Sequence, residues 1–513
     1  MPIEPDFATF ARLYDSNRPQ PIYRRSIGDL ETPVSVFLKL CEGRDNAFLF
    51  ESVQGGESRG RYSIVGLKPD LIWRCRGGQA EINRNERSAG ESFAPAGEPP
   101  LQSLRSLVDA TRMMLPPHLP PMAVGLFGYL GYDMVRLIER LGEPPPDALG
   151  IPDAVLIRPT VTAVFDNVRD EITVVTPVWP QAGLDARAAY ARACERLNDV
   201  TDDLSRVVPR TAVTMAGAVA SDAVRSNTSR ADYLAMVERA KAYIRAGDVF
   251  QVVPSQRFRR PFTLPAFSLY RALRRLNPSP FLYHLAFPSF SIVGSSPEIL
   301  VRLRDRIVTI RPIAGTRPRG KSAAEDAELA QELANDPKEK AEHLMLLDLG
   351  RNDVGRVAKV GSVHVTDSFF VERYSHVMHL VSNVEGEIRD GLDAVDALAA
   401  GLPAGTLSGA PKIRAMQIID ELEKEKRGAV YAGAVGYFAA DGSMDTCIVL
   451  RTALIKDGTM YVQAGGGIVA DSVPEAEYQE SVNKAKALFA AADEAAQFAE
   501  GENARGIASS VGV

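Results

Sequence analysis

The sequence predicts helices set against a largely antiparallel β-sheet, and three observations carry that reading. Strand-like runs are joined by hairpin turns, notably around Asp441-Gly442 and Asp457-Gly458, dipeptides that accept the left-handed backbone a two-residue turn needs. Segments such as ITVVTPV and AVGLFGYLGYD alternate in pattern between Gly and Pro punctuation, as half-buried strands do. From Ser229 onward, helical stripes with recognisable caps interrupt the strands.

From the N-terminus, residues 1–210 read as a strand-rich unit. Its pattern breaks at 86–100 (ERSAGESFAPAGEPP) and 115–121 (LPPHLPP), and the clearest break, 209–229, marks the boundary to a second unit over 226–492. Ser229 caps a helix with the stripe Tyr233, Val237, Ala240, Ile244, and Gly247 ends it before the strand VFQVVPSQRF. Strands follow in FLYHLAF, SIVGSSPEILVRL and IVTIRPIAG. Asp336, Pro337 and Glu339 then open a helix as cap, first residue and capping-box partner, and Ser472 with Glu475 repeats the device later. Between these helices lie the strands GAVGYFAA, TCIVLRTALI and TMYVQAGGGIV. The tail 501–513, GENARGIASSVGV, is expected to be disordered.

With 513 residues the chain has ample length for a large core, and 59 Lys plus Arg against 65 Asp plus Glu give a net charge of -6. No long basic run tracks a phosphate backbone, so nucleic acid is not an expected partner. Arg271, Arg274 and Arg275 alternate with Leu269, Leu273 and Leu276 and read as the wet face of a helix. Cys41, Cys75, Cys194 and Cys447 form no Cys-x-x-Cys pair, which suits a reduced compartment and excludes a zinc ribbon. MPIEPDFATF lacks the features of a signal peptide, and no stretch is apolar enough to span a membrane, so the cytoplasm is the expected location.

Two Glu-x-x-Glu pairs stand in line with helical apolar stripes: Glu339 and Glu342 with Leu346 and Leu349, and Glu477 and Glu480 with Lys484 and Leu488. Converging carboxylates repel unless a cation lies between them, and oxygen-only ligands suit Mg2+. The ordinary reading of each pair alone is a solvated helix surface. A competing motif is GTRPRGKS at 315–322, which satisfies the phosphate-loop pattern through Gly315, Gly320, Lys321 and Ser322 and is trailed by LMLLD. Against it, Pro318 removes a backbone donor, LMLLD falls inside the helix begun at Pro337, and hairpin-linked strands are not the parallel sheet it requires.

Beyond these motifs stand NPSPFLYHL, PIAGTRPRG, AEHLMLLDLGRND, YSHVMHLVS, LPAGTLSGAPKIRAMQIIDELE, YAGAVGYF, DTCIVLRTALI and QAGGGIVADSVPEAEYQESVNKA. In this order they closely resemble the chorismate-utilising enzymes, in particular the anthranilate synthase component I family, densely from Ser229 to Phe489 and more thinly from Tyr23 to Val175. The resemblance implies an α+β fold of large antiparallel β-sheets packed face to face with helices outside. It also implies a catalytic unit over 226–492 and a regulatory site in the N-terminal unit.

The implied chemistry is Mg2+-dependent conversion of chorismate and ammonia to anthranilate and pyruvate. By resemblance, Glu342 and Glu480 ligate the metal, and Glu339 and Glu477 support it. Arg451 and the backbone N–H groups of Gly465, Gly466 and Gly467 hold the enolpyruvyl carboxylate, with Gly315, Thr316, Thr406, Tyr431, Ala464 and Lys484 completing the chorismate pocket. Glu298 matches the general acid, and His379 the histidine near pyruvate elimination. Each pattern also has a plain structural reading: the triple Gly as a turn or bulge, Arg451 as a partner of Asp445, Glu298 as a cap, and His376 with His379 as core strand.

Where the water-using relatives carry a lysine this chain has Gln251, and where many aminodeoxychorismate synthases carry one it has Ala314, both fitting direct attack by ammonia. No cysteine sits in a glutaminase elbow, so a separate glutamine amidotransferase subunit, in a heterotetramer, is the expected ammonia source. Glu51, Ser52, Arg61, Pro280, Phe281, Leu282, Val435 and Tyr437 fall at family positions for L-tryptophan as inhibitor, although Phe50 replaces a usual leucine. The alternatives are another ammonia-using chorismate enzyme such as aminodeoxychorismate synthase, a phosphate-loop nucleotidase, and a catalytically silent binding subunit.

Overall fold

The computed structural model describes residues 2–54, 58–84, 92–209, 224–374, 377–428 and 430–510. Both expected hairpins are present: Ala434–Ala439 pairs with Met444–Ile448, and Thr452–Lys456 with Thr459–Gly465, all antiparallel. The second turn places Asp457 at φ 49° and Gly458 at φ 68°, the left-handed pair that Asp-Gly tolerates.

The strands form two antiparallel arrays. One runs Ser255–Pro261, Thr459–Gly465, Thr452–Lys456, Ser291–Ser296, Phe281–Ala286, Ala47–Gln54 and Ser58–Arg76. The other runs Gly125–Leu130, Ala434–Ala439, Met444–Ile448, Ile299–Arg304, Ile307–Ile310 and Val377–Glu387, the last also pairing with Ile313–Pro318 and His364–Arg373. The long strands Ser58–Arg76 and Ala154–Asp166 pair with each other across an irregularity at Pro69/Leu71 and join the arrays. Phe48, Tyr283, Ile292 and Leu454 from the first array meet Phe127, Tyr129, Val435 and Tyr437 from the second in one buried core. The sheets therefore pack face to face, and separate apolar clusters seat helices on their outer sides.

Ladders cross between the two spans read from the sequence: Glu51 stands opposite Leu282, and Tyr129 opposite Val435. Of the boundary segment at 209–229, residues 210–223 lie outside the described ones. Ser229 caps the helix Arg230–Ala246 by accepting from Asp232 N, and Gly247 closes it at φ 84°. Among the described residues, no helix is long and apolar enough to cross a membrane.

Two expectations need correction. Arg274 does not belong to a wet face: its guanidinium turns in to Glu51, because a buried carboxylate beside the sheet demands a cation. Ser472 does not cap the last helix; its hydroxyl donates to Glu477 Oε1 at 2.6 Å, and the first helical backbone bond runs from Glu477 N to Val473 O. That helix runs Pro474–Ser510. Residues 511–513 lie outside the described ones.

Candidate active site

Two helices bring the paired glutamates to one side of the sheet. Asp336 caps Pro337–Gly355, accepting from Lys338 N at 2.9 Å and Glu339 N at 3.2 Å, with Pro337 at the first position. Burial raises the Glu342 carboxyl above its ordinary range, and the charges of Glu339 and Glu480 push the same way. Glu477 is raised by burial and by Glu480, against the Ser472 hydroxyl. The four carboxylates are thus linked in a chain: Glu339 and Glu480 both act on Glu342, and Glu480 acts on Glu477. Glu339 is also paired, since Arg317 reaches it at 3.1 Å and holds Asp336 and Glu332 as well.

Among the described residues, no group of three or more His, Cys, Asp or Glu stands close enough to hold a metal ion. A site needing three or four protein ligands does not fit. Mg2+ needs less, because it keeps several waters and takes one or two carboxylates. Glu342 and Glu480, hard oxygen donors on facing helices whose mutual repulsion a divalent cation would relieve, fit that requirement. Lys484 Nζ lies 2.7 Å from Glu480 Oε1 and 3.0 Å from the carbonyl of Gly465.

Strand ends supply a second group. Glu298 sits between Ser291–Ser296 and Ile299–Arg304, where its backbone carbonyl accepts from Ile448 N at 3.0 Å. Burial pushes its carboxyl up to about 8, opposed by the Thr406 hydroxyl, the backbone N–H of Ile313 and the charge of Arg451. The Thr406 contact is long, 3.5 Å. Arg451 takes a left-handed backbone, φ 46°, at the end of the link into Thr452–Lys456, and Asp445 pairs with Arg304 instead, leaving the Arg451 guanidinium to the cavity. His379, on Val377–Glu387, directs Nδ1 to the carbonyl of Gly315 at 2.9 Å and lies 3.1 Å from Thr316 Oγ1. A carbonyl can only accept, so Nδ1 carries the proton and Nε2, buried and without a partner, keeps its lone pair. His376 lies outside the described residues.

A cavity of about 620 Å³ has Arg451, His379, Glu480, Lys484, Tyr374 and Asn277 among its walls, while Glu298 and Thr406 line a smaller hollow. At its margin the glycine run has a steric cause. A Cβ on Gly466 would come within 2.9 Å of Glu477 Oε2, one on Gly467 within 2.3 Å of Gln251 Nε2, and one on Gly315 within 2.9 Å of Glu339 Oε2. Ala464 pairs with Gln256, and Gly465 with Ser255. The buried Tyr431 hydroxyl, pushed up to about 12 by burial, meets the Gly465 N–H. Tyr374, Asn277, Gln479 and Asn483 line the cavity without having been singled out from sequence. Asn483 and Gln479 could have been found from helical spacing, since they flank Glu480 and Lys484 on one face.

The residues read as an inhibitor site fall into two groups. Glu51, opposite Leu282, accepts from Arg274 at 2.7 and 3.0 Å and from the Tyr270 hydroxyl. Phe281, Val435 and Tyr437 enter the core between the sheets. Pro280 leads into the Leu282 strand, and Ser52 lies against Gly60. Arg61 turns away to Asp166 at 2.9 Å.

The phosphate-loop reading is overturned. Residues 313–318 pair antiparallel with the His379 strand, and Ser322 caps Ala323–Asn335 with its own side chain. The N–H of Gly320 donates to Asp326 at 3.0 Å and that of Lys321 to Glu325 at 2.7 Å. The donors that would cradle a phosphate are spent on carboxylates.

Comparison with known proteins agrees with this architecture. Residues 47–490 match the chorismate binding enzyme family. The chain is 60% identical to anthranilate synthase component 1 of Cereibacter sphaeroides, covering 96% of this chain and 98% of that one, and 50% identical to that of Pseudomonas putida, covering 92% and 94%. Anthranilate synthase component I from Streptococcus pneumoniae superposes with a TM-score of 0.70 at 38% identity over 84% of this chain and 92% of that one. The menaquinone-specific isochorismate synthase of Escherichia coli, at 20% identity and a TM-score of 0.67 over 95% and 98%, shares the fold.

Proposed function

The chain belongs to the chorismate binding enzymes, in the anthranilate synthase component I family, and we propose that it converts chorismate and ammonia to anthranilate and pyruvate with Mg2+ as cofactor. The observation that carries the mechanism is Glu298: a buried carboxyl raised to about 8, beside the Arg451 guanidinium, is protonated at neutral pH and ready to donate. In the proposed course ammonia forms a bond to C2 and the C4–O bond breaks, with the Glu298 proton leaving as part of water. The Nε2 lone pair of His379 then takes the C2 proton, the C2–H electron pair becomes the new ring double bond as the C3–O bond breaks, and the departing enolate gains a proton at its methylene carbon to become pyruvate.

Arg451 and the backbone around Gly465, Gly466 and Gly467 are assigned to the enolpyruvyl carboxylate; Tyr431, Thr406, Gly315, Thr316 and Lys484 shape the remaining walls. Glu342 and Glu480 would hold Mg2+. When bound, the ion neutralises the ring carboxylate and draws electron density from the diene as a Lewis acid. Gln251, an amide, cannot activate water as a general base, which supports ammonia over water as nucleophile.

Burial raises the thiols of Cys41, Cys75, Cys194 and Cys447, so none is suited to attack glutamine. We assign that step to a separate glutamine amidotransferase subunit, and regulation to L-tryptophan at the Glu51 region. Anthranilate fluorescence from chorismate, ammonium and Mg2+ tests the reaction, and absence of product sinks it. Equal rates from glutamine and ammonium with the purified chain alone would remove the partner; a flat inhibition curve would remove tryptophan.

A further inference from the structure

We propose that Arg427, locked by Glu423, is a positioning residue for this reaction: one guanidinium ties the Thr406 turn, the segment following Gln251 and the ring of Tyr431 to one another. The pair is among the most enclosed in the protein, with side chains 1% and 5% exposed. Arg427 Nε and Nη2 donate to Glu423 Oε1 at 3.1 and 2.8 Å, Nη1 donates to the carbonyl of Leu407 at 2.7 Å, and Nη2 also reaches the carbonyl of Val253. The guanidinium lies 5.4 Å from the Tyr431 ring centre and 4.8 Å from that of Tyr132. Glu423 is held in turn by Ser255 N and Oγ, both at 2.9 Å, on the strand opposite Gly465.

Burying two charges is expensive, and well-packed apolar residues of the same volume often serve stability as well. The distinguishing feature here is where the donors go. They reach backbone carbonyls next to Thr406, which bonds Glu298, and two residues from Gln251, which packs on Gly467. No short side chain could span these segments, and the planar fork fixes their relative orientation.

The inference rests on Glu298 as the proton donor of the reading above. Glu298 is faced by Arg451, by the Ile313 N–H, by the Thr406 hydroxyl and by the Tyr374 phenol; Asp353, across the same small hollow, is neutralised by Lys412. Thr406 lowers the Glu298 pKa, so releasing its turn must raise it.

The test compares wild type, Arg427→Lys, and Arg427→Met paired with Glu423→Gln, which leaves no uncompensated charge. Two quantities are read: kcat against pH with ammonium, and the carboxylic C=O infrared band that Glu298→Gln identifies, followed through pH without turnover. The double variant is expected to lose about 10- to 100-fold in kcat, with a smaller change in KM. Its Glu298 titration should move upward by about half a pH unit or more. Arg427→Lys should recover part of both. A folded double variant whose band titrates as in wild type overturns the proposal, as does one that loses only thermal stability. A wild type that makes no anthranilate sinks the functional reading instead, and the infrared titration still decides the positioning role.

Discussion

The proposed active site and the Glu51 region both bury carboxylates beside arginines, yet they treat them in opposite ways. Glu51 is saturated: two N–H groups of Arg274 and the Tyr270 hydroxyl converge on it. At the proposed site, Glu298 has one long side-chain contact besides the Ile313 N–H, His379 Nε2 has none, and Glu342 and Glu477 are raised by burial and then by neighbouring negative charge. A buried polar group left unsatisfied costs free energy that folding alone would select against. The difference therefore separates a carboxylate already paired within the protein from carboxylates left short of partners at the proposed active site.

Exchanging Glu298 for Gln attacks that contrast most directly. It should cost about 10²- to 10⁴-fold in kcat with KM nearly unchanged, measured by anthranilate fluorescence. An equal loss in KM would make Glu298 a binding group. Removing Arg274 as Arg274→Met should do the converse, lowering stability by about 3 kcal/mol in urea unfolding while ammonium-dependent kcat stays within about twofold. Activity lost without stability would erase the distinction.

The contrast also has a pH signature. The folded pKa of Glu298, about 8, lies above its ordinary value of 4.5, so the native state binds the extra proton between these limits. Its contribution to stability is complete below about pH 4.5 and is lost as pH rises through 8, at about 1.4 kcal/mol per unit within the window. The melting temperature of Glu298→Gln should accordingly gain on wild type toward pH 8, and wild-type kcat should fall above pH 8. Glu480→Gln should raise the Mg2+ concentration needed for half-maximal rate by about 10- to 100-fold. The smallest effect belongs to Lys321→Ala, which should change stability by less than about 0.5 kcal/mol and leave kcat alone; a larger activity loss would reopen the phosphate-loop reading.

What the sequence made legible was local. Asp457-Gly458 needs only its own backbone to turn, and Asp336 needs only the next N–H groups to cap a helix, so both are where the pattern puts them. Competition between neighbours was not legible. Ser472 is taken by Glu477, and Glu339, whose helical phase aims it with Glu342, is taken by Arg317 from a preceding strand. Arg274 had the alternation of a surface residue, and only the folded chain brings Glu51, 223 positions away, beneath it. The glycines at 466 and 467 read as turn or anion cradle, while their immediate cause is the bulk of Glu477 and Gln251.

The ladders that place Glu51 against Leu282 and Tyr129 against Val435 have a consequence for anyone dissecting this enzyme. A fragment holding only the later part of the chain would display raw strand edges in two places, each a template for self-association. Heating or denaturant should melt both parts together rather than release one from the other, and a lesion in the earlier part of the chain should reach the later part through shared backbone rather than through a hinge.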